Sequence, residues 1–539
     1  MRRRDFIKST LGIAAALPFS KSHLSSYFIP NIEVEVENLI IGSGYGGAVA
    51  ALRLTEAGKK VTMVEMGLDW GKNNGKYKPF SNVIFPKSNS TWLRKTTIAP
   101  IMNFMQFDKK FTGVLDRMNF ENIKIYAGRG VGGGSLVNGG MAVQPKRDYF
   151  QEILPELDAD RFWEYYFPLA KKELCVNEIP EDYYQKSNYY RFSRVGEAEA
   201  HNAGFKTMRV PNVYSFDYME KEENNIVPKS ALNGEVIYGN NYGKKSLDKT
   251  YLHKALQTGL LTIYDLHKVT AIRQGNNGNY FVKVDVIDTD GSIVVQKIIY
   301  CKRLFLNAGS IGTTKLLLAA KHNGDLSNLN DWIGKQWGTN GNIMCGRNMV
   351  NTVFNRVAKK LPDTYLGVGT NAKQSTIPVA GIDNWNDEKH CFFAEISPLP
   401  MNMEVYTALY LLINRMATLG TITYNSKNRN IDINWTKDNY EYPLANAKYL
   451  VKTLNKANGG TRAGLLFKGG FGADICYHPL GGIALGKATD NYGRVNGYKN
   501  LYVTDGSLIP GTIGVNPFLT ITAVAEYCIE NILKADFIY

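Results

Sequence analysis

Apolar and polar positions follow two different periods along this chain, and the switches between them mark its elements. Leu39-Ile40-Ile41 is an unbroken apolar run that stops at Gly42-Ser43-Gly44-Tyr45-Gly46-Gly47. A short apolar run closed by glycine predicts a strand buried on both faces. Ala48-Val49-Ala50-Ala51-Leu52-Arg53-Leu54 follows with helical composition, and Gly58 stops it. Lys60-Val61-Thr62-Met63-Val64 predicts the next strand, which delivers one acid, Glu65. Farther on, Lys268–Ile272, Tyr280–Val284 and Val294–Ile298 alternate as strands, with turns at Gly275-Asn276-Asn277-Gly278 and Asp290-Gly291 between them. The run from Arg303 to Asn307 predicts a buried strand that ends at Ala308-Gly309-Ser310 and opens a helix over Thr313 to Ala320, returning the chain to the first sheet. Between residues 340 and 470, β-like runs at Gly420–Tyr424 and Ile431–Trp435 mix with a helix near Pro443 to Ala457, which reads as a separate layer. The last block places a strand, Leu501-Tyr502-Val503, before Asp505-Gly506, then a long helix over Leu519 to Leu533, with Asn516 at its cap and Pro517 in its first turn.

The first three of these elements, in this order, form the βαβ unit that a dinucleotide needs. Gly42 permits the tight turn, Gly44 lets the backbone approach a diphosphate, and Gly47 lets the helix sit close to the strand. The helix N-terminus then presents unpaired N–H groups and partial positive charge. Glu65 lies eighteen residues past Gly47, where its carboxylate is placed to accept from both hydroxyls of a ribose. A second glycine-dense segment, Gly128 to Gly140, is too short for a linker, and backbone packed against a bulky ligand explains its missing side chains. Lys72 to Asn89 is rich in Asn, Gly, Lys, Pro and Ser and reads as a long loop, either a lid or a plain surface loop.

Composition narrows the class. At 539 residues the chain exceeds one core and predicts two or three domains. With 44% hydrophobic and 21% charged residues it is an ordinary folded protein and not a disordered one. The net charge of +14 is spread through pairs such as Lys171-Lys172 and Lys244-Lys245, with no basic run and no nucleic-acid motif. It is compatible with a solvated surface free of partners and with transient attraction to an anionic membrane surface. None of the six cysteines forms C-x-x-C, so they read as small buried hydrophobes, and no metal site is expected. At the start, Arg2-Arg3-Arg4-Asp5-Phe6-Ile7-Lys8 precedes a short apolar run from Leu11 to Phe19, the order of an export signal of the twin-arginine type. That route carries folded proteins, and it predicts a periplasmic or secreted product.

The βαβ unit, Gly128–Met141, Asn307-Ala308-Gly309-Ser310 and the tail from His478-Pro479-Leu480-Gly481-Gly482 to Val515-Asn516-Pro517-Phe518 together resemble the glucose–methanol–choline (GMC) oxidoreductases. Tyr126–Val143, Glu235–Asn241, Phe393-Ala394-Glu395-Ile396-Ser397-Pro398 and Asn500–Ser507 are most similar to the cholesterol oxidase branch of that family. The likeness covers almost everything after the leader. It implies an α/β, two-domain architecture: a Rossmann-like FAD-binding domain and a substrate domain built on an antiparallel β-sheet covered by helices. The expected division is a leader over 1–30, FAD-binding segments at 31–72, 243–338 and 471–539, and substrate-domain segments at 73–242 and 339–470. The sequence does not fix the oligomeric state, and a monomer is favoured; the resemblance implies that the chain binds FAD and takes a sterol and O2 as small-molecule substrates. The implied reaction oxidises a 3β-hydroxysteroid to the 3-ketone, moves the 5,6 double bond to the 4,5 position, and returns electrons to O2 as peroxide. No flavin-tethering histidine motif is present, so the cofactor is expected to bind without a covalent bond.

The resemblance also implies site residues. Cofactor contacts fall at Gly42, Gly44, Tyr45, Gly46, Gly47 and Glu65, at Gly134, Asn138, Gly139 and Met141, and at Val269, Gly506 and Phe518. For Val269 and Phe518, plain core packing is the alternative. His478 has a resting pKa near neutrality and is expected to donate to or accept from the substrate oxygen, the alternative being a core histidine bonded to a carbonyl. Glu395, among Phe392-Phe393-Ala394 and Ile396, suits a base that carries a proton between two carbons, the alternative being a solvated carboxylate on an edge strand. Asn516 either caps the last helix or touches flavin and substrate. Three rival functions stay open: a flavin alcohol oxidase or dehydrogenase for another steroid or alcohol, a secreted sterol-binding protein without turnover, and an NAD dehydrogenase.

Overall fold

The computed structural model describes residues 31–72, 81, 86–98, 104–233, 241–348, 377–397 and 407–537. The expected leader, most of the 72–89 loop and Glu235–Asn240 lie outside the described residues. Seven strands form the first sheet: β1 (Asn31–Ile41), β2 (Val61–Val64), β6 (Leu261–Tyr264), β7 (His267–Gln274), β8 (Tyr280–Ile287), β9 (Ile293–Leu306) and β18 (Leu501–Val503). Their order is β6-β2-β1-β9-β8-β7, with β18 beside the C-terminal end of β9. The β6-β2-β1-β9 and β9-β18 pairings are parallel, as a doubly wound nucleotide fold requires, and β7 and β8 add an antiparallel flank. The runs around Ile298 and Arg303 are one 14-residue strand and not two. Ile299 and Cys301 carry the alternation across the gap, and β1 and β8 pair with β9 from both sides.

Helices α1 (Tyr45–Glu56) and α4 (Phe518–Asp536) pack on this sheet through Ala48, Val49, Leu52, Leu519, Ala523 and Ile529, all at most 1% exposed. Their seam is closed by charge. Arg53 Nε and Nη2 each donate to Glu526 at 2.7 Å, and the Tyr251 hydroxyl donates to Glu526 Oε1 at 2.7 Å. Removing Arg53 would leave the buried Glu526 carboxylate without its cation, at a cost of about 3 kcal/mol. Helix α2 (Gly309–His322) leaves the end of β9 and begins four residues earlier than its apolar pattern shows.

A second sheet has six strands, all antiparallel, in the order β16-β10-β13-β12-β11-β5: β5 (Lys206–Arg209), β10 (Ile343–Asn348), β11 (Ala380–Asp383), β12 (Phe392–Ser397), β13 (Thr407–Asn414) and β16 (Thr461–Arg462). Its period-2 pattern separates two faces. Phe392, Ala394, Ile396, Tyr410 and Leu412 pack under helix α3 (Lys437–Asn458), whose Ala447, Leu450, Val451 and Leu454 complete that core. Glu395, Ser397, Leu409 and Leu411 face the other way. Helix α3 starts six residues before Pro443, because Thr436 caps it and the Asn439 side chain accepts from the Thr436 N–H at 2.8 Å. Pro443 then sits inside the helix.

Two small sheets complete the fold. β3 (Leu115–Asn119), β4 (Lys124–Gly128) and β17 (Ile475–Cys476) form one. β14 (Thr421–Asn425) and β15 (Asn430–Asn434) form a two-stranded hairpin, whose Ile422 N–H also donates to the Gly334 carbonyl at 2.7 Å. Its buried Ile422, Ile431 and Ile433 pack with Trp337, Trp435 and Ile311 of α2, so this part of the expected substrate layer lies against the nucleotide sheet's helix. Five cysteines are buried and free, and Cys175 is exposed.

The three glycines of the first turn behave differently. Gly42 has φ +94°, and a methyl there would overlap the Asn307 carbonyl; a methyl on Gly46 would overlap the Thr504 carbonyl; one on Gly44 meets nothing within 4 Å. Thermal melts of the apoprotein should therefore place Gly46→Ala about 5 °C or more below the parent, with Gly44→Ala within about 2 °C of it. Equal losses at both positions would contradict this account of the turn.

Candidate functional site

A cavity of about 1150 Å³ is lined by both main sheets. Gly42, Gly44, Tyr45, Gly46, Glu65, Gly134, Asn138, Gly139, Met141, Val269, Gly506 and Phe518 line it, as do Glu395, His478 and Asn516. Gly47 does not. It faces inward, where a side chain would overlap the Gly42 carbonyl, so its role is helix-to-strand packing.

At one end, α1 begins at Gly44 with no capping side chain and no acid in its first turn, so its first N–H groups are available to an anion. Glu65 Oε2 accepts from the Ser43 backbone at 3.2 Å and its hydroxyl at 2.7 Å, and Oε1 accepts from the Gly67 N–H at 3.0 Å. Three protein donors on one carboxylate leave Oε1 the freer oxygen to meet a ribose diol. The Ser43 hydroxyl also accepts from the Gly132 N–H at 3.0 Å, which ties the two glycine segments together.

In the middle, the Asn138 amide donates to the Tyr45 hydroxyl at 2.7 Å, and Tyr45 stacks on Phe518 with ring centroids 5.0 Å apart. Lys244, one of the dispersed charges in the sequence, is fully buried and donates to the Asn138 carbonyl. Burial holds its ammonium well below the usual lysine range. The Nζ–H donated to that carbonyl polarises the peptide whose N–H belongs to Gly139, in the cavity wall. No sequence pattern separates Lys244 from its neighbour Lys245.

At the other end, Glu395 is 2% exposed on a central strand, so the solvated-edge alternative is excluded. Asn516 donates from Nδ2 to Glu395 Oε1 at 2.6 Å. Asn516 is therefore not the helix cap: α4 starts at Phe518, and Pro517 holds the cap position without a side-chain bond. Burial pushes the Glu395 carboxyl up to about 8. The opposite shift falls on His478, which burial lowers to about 3, so the expected near-neutral titration is corrected to a neutral imidazole. Its tautomer is assigned by Asn342, a residue that sequence reasoning misses because its only signal is an Asn beside a glycine. Asn342 Oδ1 accepts from the Tyr477 and His478 backbone N–H groups at 3.2 Å each, so its Nδ2 faces His478 Nδ1 at 3.0 Å as donor. Nδ1 is thus an acceptor and Nε2 carries the proton.

Three buried polar atoms in this lining have no partner in the protein: Asn138 Oδ1, Asn307 Nδ2 and Asn516 Oδ1. Together with the open space at Gly44 and Gly134, the uncapped helix and the acid at Glu65, they fit an elongated, polar dinucleotide with a flat ring system. Among the described residues no group of His, Cys, Asp and Glu could hold a metal, and no helix is long and apolar enough to cross a membrane.

Comparison with known proteins agrees with this fit. The family model described as GMC oxidoreductase matches residues 36–336, and models for the C-terminal part match 340–468 and 417–525. A cholesterol oxidase of Acinetobacter baumannii is 25% identical over 549 aligned positions, covering 92% of this chain and 94% of the relative. A cholesterol oxidase of Mycobacterium tuberculosis is 26% identical, covering 90% and 89%. The structure of a formate oxidase superposes with a TM-score of 0.61 at 14% identity, covering 94% of this chain and 100% of the other. A match through more than half of the chain, on a cavity shaped for a flavin dinucleotide, establishes this protein as an FAD-dependent member of the GMC oxidoreductase family.

Proposed function

We propose that this oxidoreductase is a secreted cholesterol oxidase, which converts a 3β-hydroxy-5-ene steroid to the 4-en-3-one with reduction of O2 to H2O2. The observation that carries the reading is the Glu395 carboxyl, desolvated on an apolar sheet face and lining the same cavity as the neutral His478. Oxidation of an alcohol needs one group to orient the hydroxyl and one to take its proton. Migration of a carbon–carbon double bond needs a carboxylate basic enough to lift a proton from carbon and return it elsewhere. Met344, Leu409, Leu411 and Phe467 supply uncharged walls suited to a hydrocarbon ring system. The cholesterol oxidases that align over about nine-tenths of the chain support the same substrate class.

When bound, FAD supplies the hydride acceptor. The helix dipole of α4, which has no acid in its first turn, favours negative charge near its N-terminus by up to about 2 kcal/mol. His478 donates from Nε2 to the alcohol oxygen and orients the carbinol carbon. A neutral imidazole with its proton on Nε2 cannot also accept the hydroxyl proton at that atom, so that proton passes to water as the hydride leaves the carbinol carbon, and Glu395 stays free for the carbons. After oxidation, Glu395 removes a proton from C4 and delivers one to C6, while Asn516 holds its Oε1. The formate oxidase likeness rests on fold alone and favours no particular substrate. Export by the twin-arginine route, as a monomer with transient contact at sterol-bearing membranes, belongs to the proposal, supported by Arg2-Arg3 ahead of a short apolar run and by the net charge of +14.

Anaerobic mixing of the yellow holoprotein with cholesterol should bleach the flavin, and formate or glucose should not; the reverse preference overturns the substrate assignment. Glu395→Gln should abolish double-bond migration while retaining much of the oxidation, read by separating 5-en-3-one from 4-en-3-one. His478→Ala should slow flavin reduction by about 100-fold with a smaller effect on sterol binding. Because the folded Glu395 binds a proton between the usual carboxyl range and about 8, and the unfolded one does not, its burial costs stability as pH rises through that window. Glu395→Gln apoprotein should therefore melt above the parent at pH 9, with the gap closing toward pH 5.

A further inference from the structure

The three side chains of the reacting end come from three separate stretches of chain: Glu395 from β12, His478 from the segment after β17, and Asn516 from the segment before α4. One four-residue turn, Thr339-Asn340-Gly341-Asn342, is bonded to the second and third of these stretches and, through Asn414 of β13, to the sheet that carries the first. We infer that this turn is a spacing device, with Asn340 and Asn342 as positioning residues that set the His478 donor against the Glu395–Asn516 pair.

Asn342 holds the histidine arm by the three hydrogen bonds described above. Asn340, fully buried, holds the other arm. Its Nδ2 donates to the Val515 carbonyl at 2.7 Å, next to Asn516. Its Oδ1 accepts from the Ile513 N–H at 2.8 Å and the Gly514 N–H at 3.3 Å, and its own N–H donates to the Gly511 carbonyl at 2.9 Å. The sheet bearing Glu395 is tied in by Asn414, which closes β13 opposite Phe392 and donates to the Gly341 carbonyl at 2.6 Å. Just upstream, Gly338 exchanges backbone hydrogen bonds with Leu480 at 3.0 Å. The stretch therefore runs between the two arms and touches each.

Asn340 stands at φ +58°, in the left-handed region where asparagine is among the few residues tolerated. Its side chain acts as an artificial piece of backbone, satisfying one carbonyl and two N–H groups of a loop that has no sheet partner there. A neutral amide does both at once. A carboxylate would lose the donor, and glycine would keep the backbone conformation and lose the clamp. The consequence for chemistry, which rests on the proposed oxidation and isomerisation, is a division of labour. The histidine arm serves the oxygen end of the substrate and the Glu395–Asn516 arm serves the carbons, so the turn decides whether the ketone is still aligned with Glu395 after it forms.

The test uses the FAD-loaded full chain with Asn340→Gly, Asn340→Asp and Asn342→Asp. Hydrogen exchange read by mass spectrometry should rise in peptides covering 511–516 in Asn340→Gly, less in Asn340→Asp, and not in Asn342→Asp. With cholesterol, Asn340→Gly should release about 5-fold more 5-en-3-one relative to 4-en-3-one while flavin reduction falls by no more than about 3-fold. Nitrogen-15 histidine spectra should show Nε2 protonated in the parent and Nδ1 protonated in Asn342→Asp, where a carboxylate faces that nitrogen. Unchanged exchange at 511–516, or raised exchange with an unchanged product ratio, overturns the inference. Should the parent protein not be reduced by sterol at all, the proposed function fails, and the exchange pattern and histidine spectra still decide whether the turn holds the two arms.

Discussion

The fold turns on a contact that only missing side chains allow. Gly42 lies against the Asn307 carbonyl and Gly46 against the Thr504 carbonyl, so the first turn, the end of β9 and the segment after β18 meet backbone to backbone. The Thr504 hydroxyl donates to Asn307 Oδ1 at 2.7 Å and locks the same junction from the side. Asp505, the next residue, accepts from the Gly309 N–H at 2.8 Å and the Thr313 hydroxyl at 2.6 Å, which fixes the start of α2. Three stretches far apart in the chain are thereby brought to one end of the parallel strands, the place where an open α/β sheet binds its ligand.

That junction delivers the cofactor cleft; the second sheet delivers the chemistry. Its two faces differ because its strands alternate, and the face turned to the cleft carries one carboxyl among aliphatic neighbours. Desolvation acts in opposite directions on the two titrating groups there. It penalises the charged form of each, so the acid is held up at about 8 and the imidazole down at about 3. Near neutral pH both favour their uncharged forms, and roles follow from which proton each can move. A fixed imidazole N–H serves as a donor, and a carboxyl poised at about 8 serves as an acid and base. Family membership establishes the flavin and the fold; the environment of Glu395 is what the proposal of a steroid with a migrating double bond rests on.

Much of this architecture is legible in the order of residues alone, because the signals that carry it are local. An apolar run closed by glycines, a helix, a second strand and an acid lie within one continuous stretch, and the period-2 pattern of β7 and β8 reads directly as strands with two faces. The boundaries that shifted did so for tertiary reasons. β9 runs unbroken because both of its edges are paired, and α3 starts early because Thr436 and Asn439 close its first turn.

Glycine spacing and strand order are chemical requirements of any approach to a dinucleotide, so the chain's linear pattern was enough to mark the segments that make it. The motifs around Glu395, His478 and Asn516 likewise nominated them as candidates. Their states are a different matter and belong to the folded molecule. Whether a carboxyl is solvated or desolvated, which nitrogen of an imidazole holds the proton, and whether Asn516 caps a helix or bonds Glu395 depend on partners more than a hundred residues away in the chain. Lys244 and Lys245 are alike as neighbours in a sequence, and burial alone makes one of them part of the site.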